Sequence, residues 1–132
     1  MRNAILMILL VVSGCALFKW VKIGDSSADG GYNIYADPAT VSRSGDLVKM
    51  WELNDYKTAQ VSASGSRFLS SRAQIEYDCK ESRMRQLFFT QYSENMGEGK
   101  IAYVNDSASG NWMPVSTDSI AAKNLKVACA KR

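Results

Sequence analysis

The chain has no histidine among its 132 residues. That absence removes the commonest general base and the commonest metal-ligating side chain together. It also excludes the Ser–His and Cys–His nucleophile pairings. No apolar run is long enough to span a bilayer as a helix; residues 4–12 (AILMILLVV) fall well short. Concentrated charge is missing too. Lys and Arg number 16 against 13 Asp and Glu, a net charge of +3, and they are scattered apart from short clusters at 83–85 and 131–132. A nucleic-acid binder gathers such charge on one face or along one helix, so no nucleic-acid partner is expected. There is no internal repeat and no domain linker. The three cysteines are widely spaced, which without imidazole makes a poor metal set, so no metal or cofactor is expected.

What is present starts at the N-terminus. Arg2 supplies a positive charge, residues 4–12 an apolar stretch, and Ser13, Gly14, Cys15 and Ala16 a run of small residues. That is the layout of a secretory signal. The expected division is a signal segment over residues 1–15 and a single domain over residues 16–132, which is one domain of ordinary size. Two cleavage readings stand. Residues 12–15 (VSGC) resemble a bacterial lipobox, in which Cys15 is the lipid attachment site and the new N-terminus. Its acyl chains would then anchor the domain to a membrane, since two already suffice. Alternatively Gly14-Cys15-Ala16 is an ordinary small-x-small site, and the product is periplasmic or secreted.

On either reading Cys15 belongs to the signal region, and Cys79 and Cys129 remain as an even pair in the domain. In an oxidising compartment a Cys79–Cys129 disulfide is expected, with two buried free thiols as the alternative. The bridge would close a loop of about 50 residues, which the chain-entropy account values at roughly 4 kcal/mol.

Along the domain, residues 20–23, 32–36, 47–56, 68–79, 84–93 and 100–104 read as strands, separated by Gly-, Ser- and Asn-rich stretches. Asp37-Pro38 is expected to stop the second of these. Residues 59–66 read as an exposed loop. The clearest pattern is at 72–79: Ala73, Ile75, Tyr77 and Cys79 alternate with Arg72, Gln74, Glu76 and Asp78. That is a half-buried antiparallel strand with Cys79 on the core side. At the C-terminal end the period becomes helical. Ala121, Leu125 and Ala128 form a narrow stripe beside Cys129, with Ser116 or Thr117 as the expected cap and Asp118 in the first turn. Lys131 and Arg132 suit the negative end of the helix dipole. The fold class is therefore α+β: an antiparallel sheet of about five or six strands with a C-terminal helix on one face, stapled by the disulfide.

Apparent motifs dissolve on inspection. Asp25, Ser27, Asp29 and Gly30 match the opening of a calcium loop, but its twelfth position, which needs a bidentate carboxylate, is Ala36. Residues 97–100 (GEGK) lack the spaced first glycine of a phosphate loop, and Ile101 stands where Ser or Thr must hold magnesium. Glu76 and Asp78 share one side of a strand and could work as an acid–base pair. An ordinary surface charge ladder with Arg72, Arg83 or Arg85 is the plainer expectation. No nucleophile, base and orienting group assemble at a recognisable spacing, so no catalytic residue is assigned. The aromatics Trp51, Phe88, Phe89, Tyr92, Tyr103 and Trp112 read mostly as core, with one or two free to anchor a protein partner.

In order along the chain, residues 35–41 (YADPATV), 48–57 (VKMWELNDYK), 75–79 (IEYDC), 92–93, 96–99, 112–115 (WMPV), 119–120 and 127–129 (VAC) resemble the surface-adhesin protein E family of Gram-negative bacteria. The resemblance implies an antiparallel sheet with a C-terminal helix held by the Cys79–Cys129 bridge. It further implies an exported adhesin at the outer membrane or cell surface, binding host matrix or serum proteins such as laminin and vitronectin, with a homodimer as one arrangement. The competing expectation is a periplasmic or lipid-anchored accessory protein whose partner is another envelope component. A small enzyme using Glu76 and Asp78 ranks last.

Overall fold

The computed structural model describes residues 17–107 and 110–130; the signal segment, Cys15, Lys131 and Arg132 lie outside them. Six strands form a meander in which each pairs antiparallel with the next: β1 (Val21–Ser26), β2 (Tyr32–Ser44), β3 (Leu47–Val61), β4 (Arg67–Asp78), β5 (Arg83–Tyr92) and β6 (Ile101–Asn105). A short strand β7 (Met113–Pro114) pairs with the start of β5, and helix α1 (Ile120–Ala130) follows.

The alternation in β4 sets both sheet faces. Ile75 lies opposite Met50, and Tyr77 lies between Val48 and Met84. These side chains, with Ala36, form the buried core that receives Ala128 of α1, with Leu125 and Val127 packed around it. One-sided burial pins the register, because a slip by one residue would turn the whole apolar set outward. This is the helix face. Trp51, Arg72, Gln74, Glu76, Asp78 and Phe88 occupy the other, the aromatic face.

Three local expectations are corrected. Pro38 does not stop β2. The ladder to β3 instead skips from Asp37 to Ser42, so the residue without a backbone donor sits in a bulge. The Trp51 backbone N–H is satisfied across the gap by Thr40 Oγ1 at 3.0 Å, and Thr40 in turn donates to the Asp37 carbonyl. The helix begins later than Ser116 or Thr117. Asp118 adopts a left-handed φ of 64°, which no helix interior accommodates, and Ser119 is the capping side chain, accepting from the Ala122 N–H at 3.1 Å. At the other end Arg43, from the β2–β3 hairpin, donates to the Cys129 carbonyl at 2.7 Å. A cation from a distant turn thus serves the helix C-terminus. Strands β1 and β3 also extend into the stretches read as loops, to Ser26 and Val61.

Cys79, just past β4, is bonded to Cys129 near the end of α1, with the Cα atoms 5.9 Å apart. That separation is ordinary for a disulfide. The helix contributes few buried side chains of its own, Asn124 and Ala128, so the covalent tie supplies much of what holds it down. Each of Cys79→Ser and Cys129→Ser should lower unfolding stability by a similar amount, about 3–4 kcal/mol. Urea unfolding with and without reductant checks this: reductant should weaken the wild type to the mutants' level and leave the mutants unchanged.

Beneath α1 lies one carboxylate on the core side. Glu52 accepts from Asn124 Nδ2 at 2.7 Å and from the Tyr77 hydroxyl. Burial pushes its pKa from 4.5 up to about 7, against the opposing pull of those two donors. Burial also pushes the Tyr77 hydroxyl up, and the neighbouring Glu52 carboxylate adds to this. A carboxyl whose pKa is raised by folding binds its proton more tightly in the native state. Its stabilising contribution is whole below pH 4.5 and disappears as pH rises through about 7. Glu52→Gln should therefore be more stable than the wild type at pH 8, by about 2 kcal/mol. The advantage should vanish in melts below pH 4.5.

Candidate protein-binding face

The aromatic face is built from three strands and one incoming segment. Trp51 on β3, Gln74 on β4 and Phe88 on β5 lie in one cross-strand row, and Leu53, Arg72 and Thr90 form the next. The segment before β1 folds over this row. It is tied down by the Lys19 backbone N–H, which donates to Asp37 Oδ2 at 2.8 Å. Asp37 is buried, and its second oxygen takes the Ala39 N–H at 3.0 Å. The bulge at Pro38 thus places the carboxylate that docks the segment.

Once docked, Phe18 stacks on Trp20 at 4.7 Å and meets Trp51 edge-on at 5.9 Å. Trp51 stacks in turn toward Phe88 at 6.3 Å. The Arg72 guanidinium lies among these rings, 4.6 Å from the Phe18 centroid, 5.5 Å from Trp51 and 5.2 Å from Tyr92. Its Nε is buried without a hydrogen-bond partner. Among the described residues no carboxylate lies within salt-bridge reach of it. Ring faces take the place of an anion, an arrangement suited to the weakly hydrated guanidinium. Phe88 remains 43% exposed at the end of the row.

The array continues along β4 and β5. Arg85 pairs with Glu76 at 2.5 Å, and Arg83 with Asp78 at 3.0 Å. Trp112 covers both cations, 4.4 Å from Arg85 and 4.7 Å from Arg83. Both carboxylates are buried, where a solvated ladder was expected. Of the three candidate arginines, Arg83 and Arg85 make the pairs and Arg72 does not. The Asp78 carboxyl is held below its usual range, first by the Glu81 backbone N–H, with burial opposing and Arg83 and the Lys80 N–H assisting. Each carboxylate is thus bonded to its own arginine, and Glu76 and Asp78 form a structural ladder.

The other sequence candidates are placed as follows. Residues 25–30 end β1 and continue into a 3₁₀ turn at Ala28–Gly30. Residues 97–100 start on the last residue of a second 3₁₀ turn, Asn95–Gly97, folded onto the aromatic face by Met96 N–H to Asp55 at 2.8 Å and Gly97 N–H to Ser70 at 2.9 Å. Among the described residues no cluster of carboxylates or cysteines could hold a metal ion. None of the described helices is long and apolar enough to cross a membrane. Phe18 and the Glu52–Tyr77–Asn124 cluster were not singled out from sequence. For the cluster a signal existed: Glu52 continues the alternation of Val48 and Met50, and Asn124 falls within the Ala121–Leu125–Ala128 stripe.

Fold and face together define a disulfide-stapled α+β module with one sheet face given to aromatic and arginine side chains. The chain belongs to the surface-adhesin protein E family, whose profile matches residues 20–130. That is a family of adhesins, not of enzymes. Its structure is similar to crystal form II of Haemophilus influenzae protein E, with a TM-score of 0.62 and 15% identity over 74% of this chain and 80% of that one. Protein E from non-typeable Haemophilus influenzae gives a TM-score of 0.62 and 15% identity over 84% of this chain and 75% of that one. At this identity the likeness is one of fold. No curated protein sequence matches the chain.

The ladder is tested by breaking one side of it. Arg85→Met strands the buried Glu76 charge and should cost about 3 kcal/mol in urea unfolding. Adding Glu76→Gln should recover most of that loss. Trp112→Ala should cost about 1 kcal/mol through the lost cation–π contacts.

Proposed function

We propose that the protein is an exported envelope binding module that uses the aromatic face to hold a protein partner, with host matrix or serum proteins as the partner class. The carrying observation is the array of Phe18, Trp20, Trp51 and Phe88 around Arg72. Trp, Tyr and Arg dominate binding hot spots because they combine large apolar area with a polar handle and few rotors. Here the rings are already stacked, so little side-chain entropy remains to be lost on docking. Membership in an adhesin family supports the same reading. In this proposal residues 1–15 direct export and residues 16–132 are the binding domain. Cys15 carries the lipid anchor if the lipobox is used, and is discarded with the signal if it is not.

Laminin and vitronectin are the partners to try first. Surface-immobilised partner should bind the purified protein saturably, and Phe88→Ala or Trp51→Ala should weaken binding at least tenfold. Lys123→Ala, on the solvent side of α1, should not. Location is read on intact cells by surface biotinylation of lysines, with protease shaving in parallel and lysed cells as control. Labelling before lysis supports the adhesin. Protection until lysis overturns a host partner and makes an internal envelope component the target of the face.

A further inference from the structure

The helix face is not fully covered. Beside the first turns of α1 a cavity of about 300 Å³ opens between the helix and the sheet. Tyr32 and Ile34 of β2, Met84 of β5 and Ile120 of α1 supply its mostly apolar walls. Glu52, Asn54, Tyr77, Ala121 and Asn124 also line it. A second cavity of about 200 Å³ adjoins it along β4 and β5, sharing Glu52, Asn54 and Met84.

The lining is unbalanced in charge. Among the described residues it contains the Glu52 carboxylate and no lysine or arginine. Both donors to that carboxylate, the Asn124 amide and the Tyr77 hydroxyl, are neutral. Each carboxylate oxygen takes one of these bonds and retains a further lone pair. Next to it Asn124, only 2% exposed, has its Oδ1 buried without a partner. The amide orientation follows from the carboxylate, which accepts the Nδ2 protons and would repel Oδ1. Among the described residues the groove therefore holds a carboxylate with free lone pairs, an unpartnered amide oxygen and no cation. A half-buried carboxylate in such a place is stabilised by any ligand that brings the missing positive charge.

We infer that this groove is a binding site for a small primary amine with an apolar body, its ammonium group on Glu52 and its body against Tyr32, Ile34 and Ile120. The size fits such a ligand, since small-molecule sites are concave, mostly apolar and oriented by a few polar groups. The site lies on the sheet face opposite the aromatic array, so it is separate from the proposed partner surface. Amine binding should strengthen as Glu52 ionises. Among the described residues the other titratable groups lining the groove are the phenols Tyr32 and Tyr77; β5 and α1 contribute none there.

The test is an NMR titration of the purified protein at pH 8 with benzylamine, and with benzyl alcohol and benzoate as matched probes. Benzylamine should give saturable shifts at the Asn124 side-chain amide and at Ile120. Benzyl alcohol should bind at least tenfold more weakly, and benzoate should not bind. Glu52→Gln, nearly isosteric, should remove the preference for the amine without lowering thermal stability. Ala121→Phe, which fills the cavity and leaves Glu52 in place, should abolish all three responses. The inference is overturned if benzylamine binds no better than the alcohol, if its shifts fall on exposed carboxylates elsewhere, or if Glu52→Gln binds it unchanged.

Discussion

The Cys79–Cys129 bridge is the constraint on which the arrangement rests. Helix α1 is short, its apolar stripe is narrow, and an isolated helix of this length is marginal in water. The bridge holds it to the end of β4, where Ala128 can join Ala36, Val48, Met50 and Tyr77. With the C-terminal half of the helix pinned there, its N-terminal half spans the sheet without filling the space beneath. The groove around Glu52 follows from that geometry. Arg43 completes the anchorage by serving the carbonyl of Cys129 itself.

Committing the helix to one face leaves the other to be covered by smaller means. Three devices share that work: the segment carrying Phe18 and Trp20, the 3₁₀ turn at Asn95–Gly97, and Trp112 over the arginine ladder. All three use polar ties to hold aromatic or apolar cover: Asp37 for the first, Asp55 and Ser70 for the second, and the arginine pairs with Glu76 and Asp78 for the third. A face held in this way stays rigid while keeping Phe88 in contact with solvent. Those are the properties a recognition surface needs, rigidity to limit the entropy lost on binding and exposed aromatic area to bury.

Much of the fold was legible because it is written in short-range pattern. The alternation from Ala73 to Cys79 identified β4 and its core side, and the change to helical spacing identified α1 and the side on which Cys129 lies. What was not legible depends on partners distant in sequence. Pro38 reads as a strand stop until Thr40 Oγ1 is seen replacing the missing ladder contact. Ser116, Thr117 and Ser119 are equivalent caps by residue type; the left-handed backbone at Asp118 decides among them. Glu76 and Asp78 look solvated because nothing local announces that Trp112 will cover their arginines. Arg72 looks like a salt-bridge donor because its rings come from β3, β5 and the segment before β1. Family membership was readable from ordered short matches; the binding face was not, since it is assembled by register and not by motif.

The central claim is that the sheet faces are divided, one for the stapled helix and one for the partner. Site-specific photo-crosslinking tests it most directly. A photoreactive phenylalanine analogue placed at Phe88, and separately at Lys123 on α1, should be irradiated on intact cells with the matrix or serum partner present. The account predicts a crosslinked complex from position 88 and none from position 123. Crosslinks from position 123 alone would contradict it, and would move recognition to the helix side of the sheet.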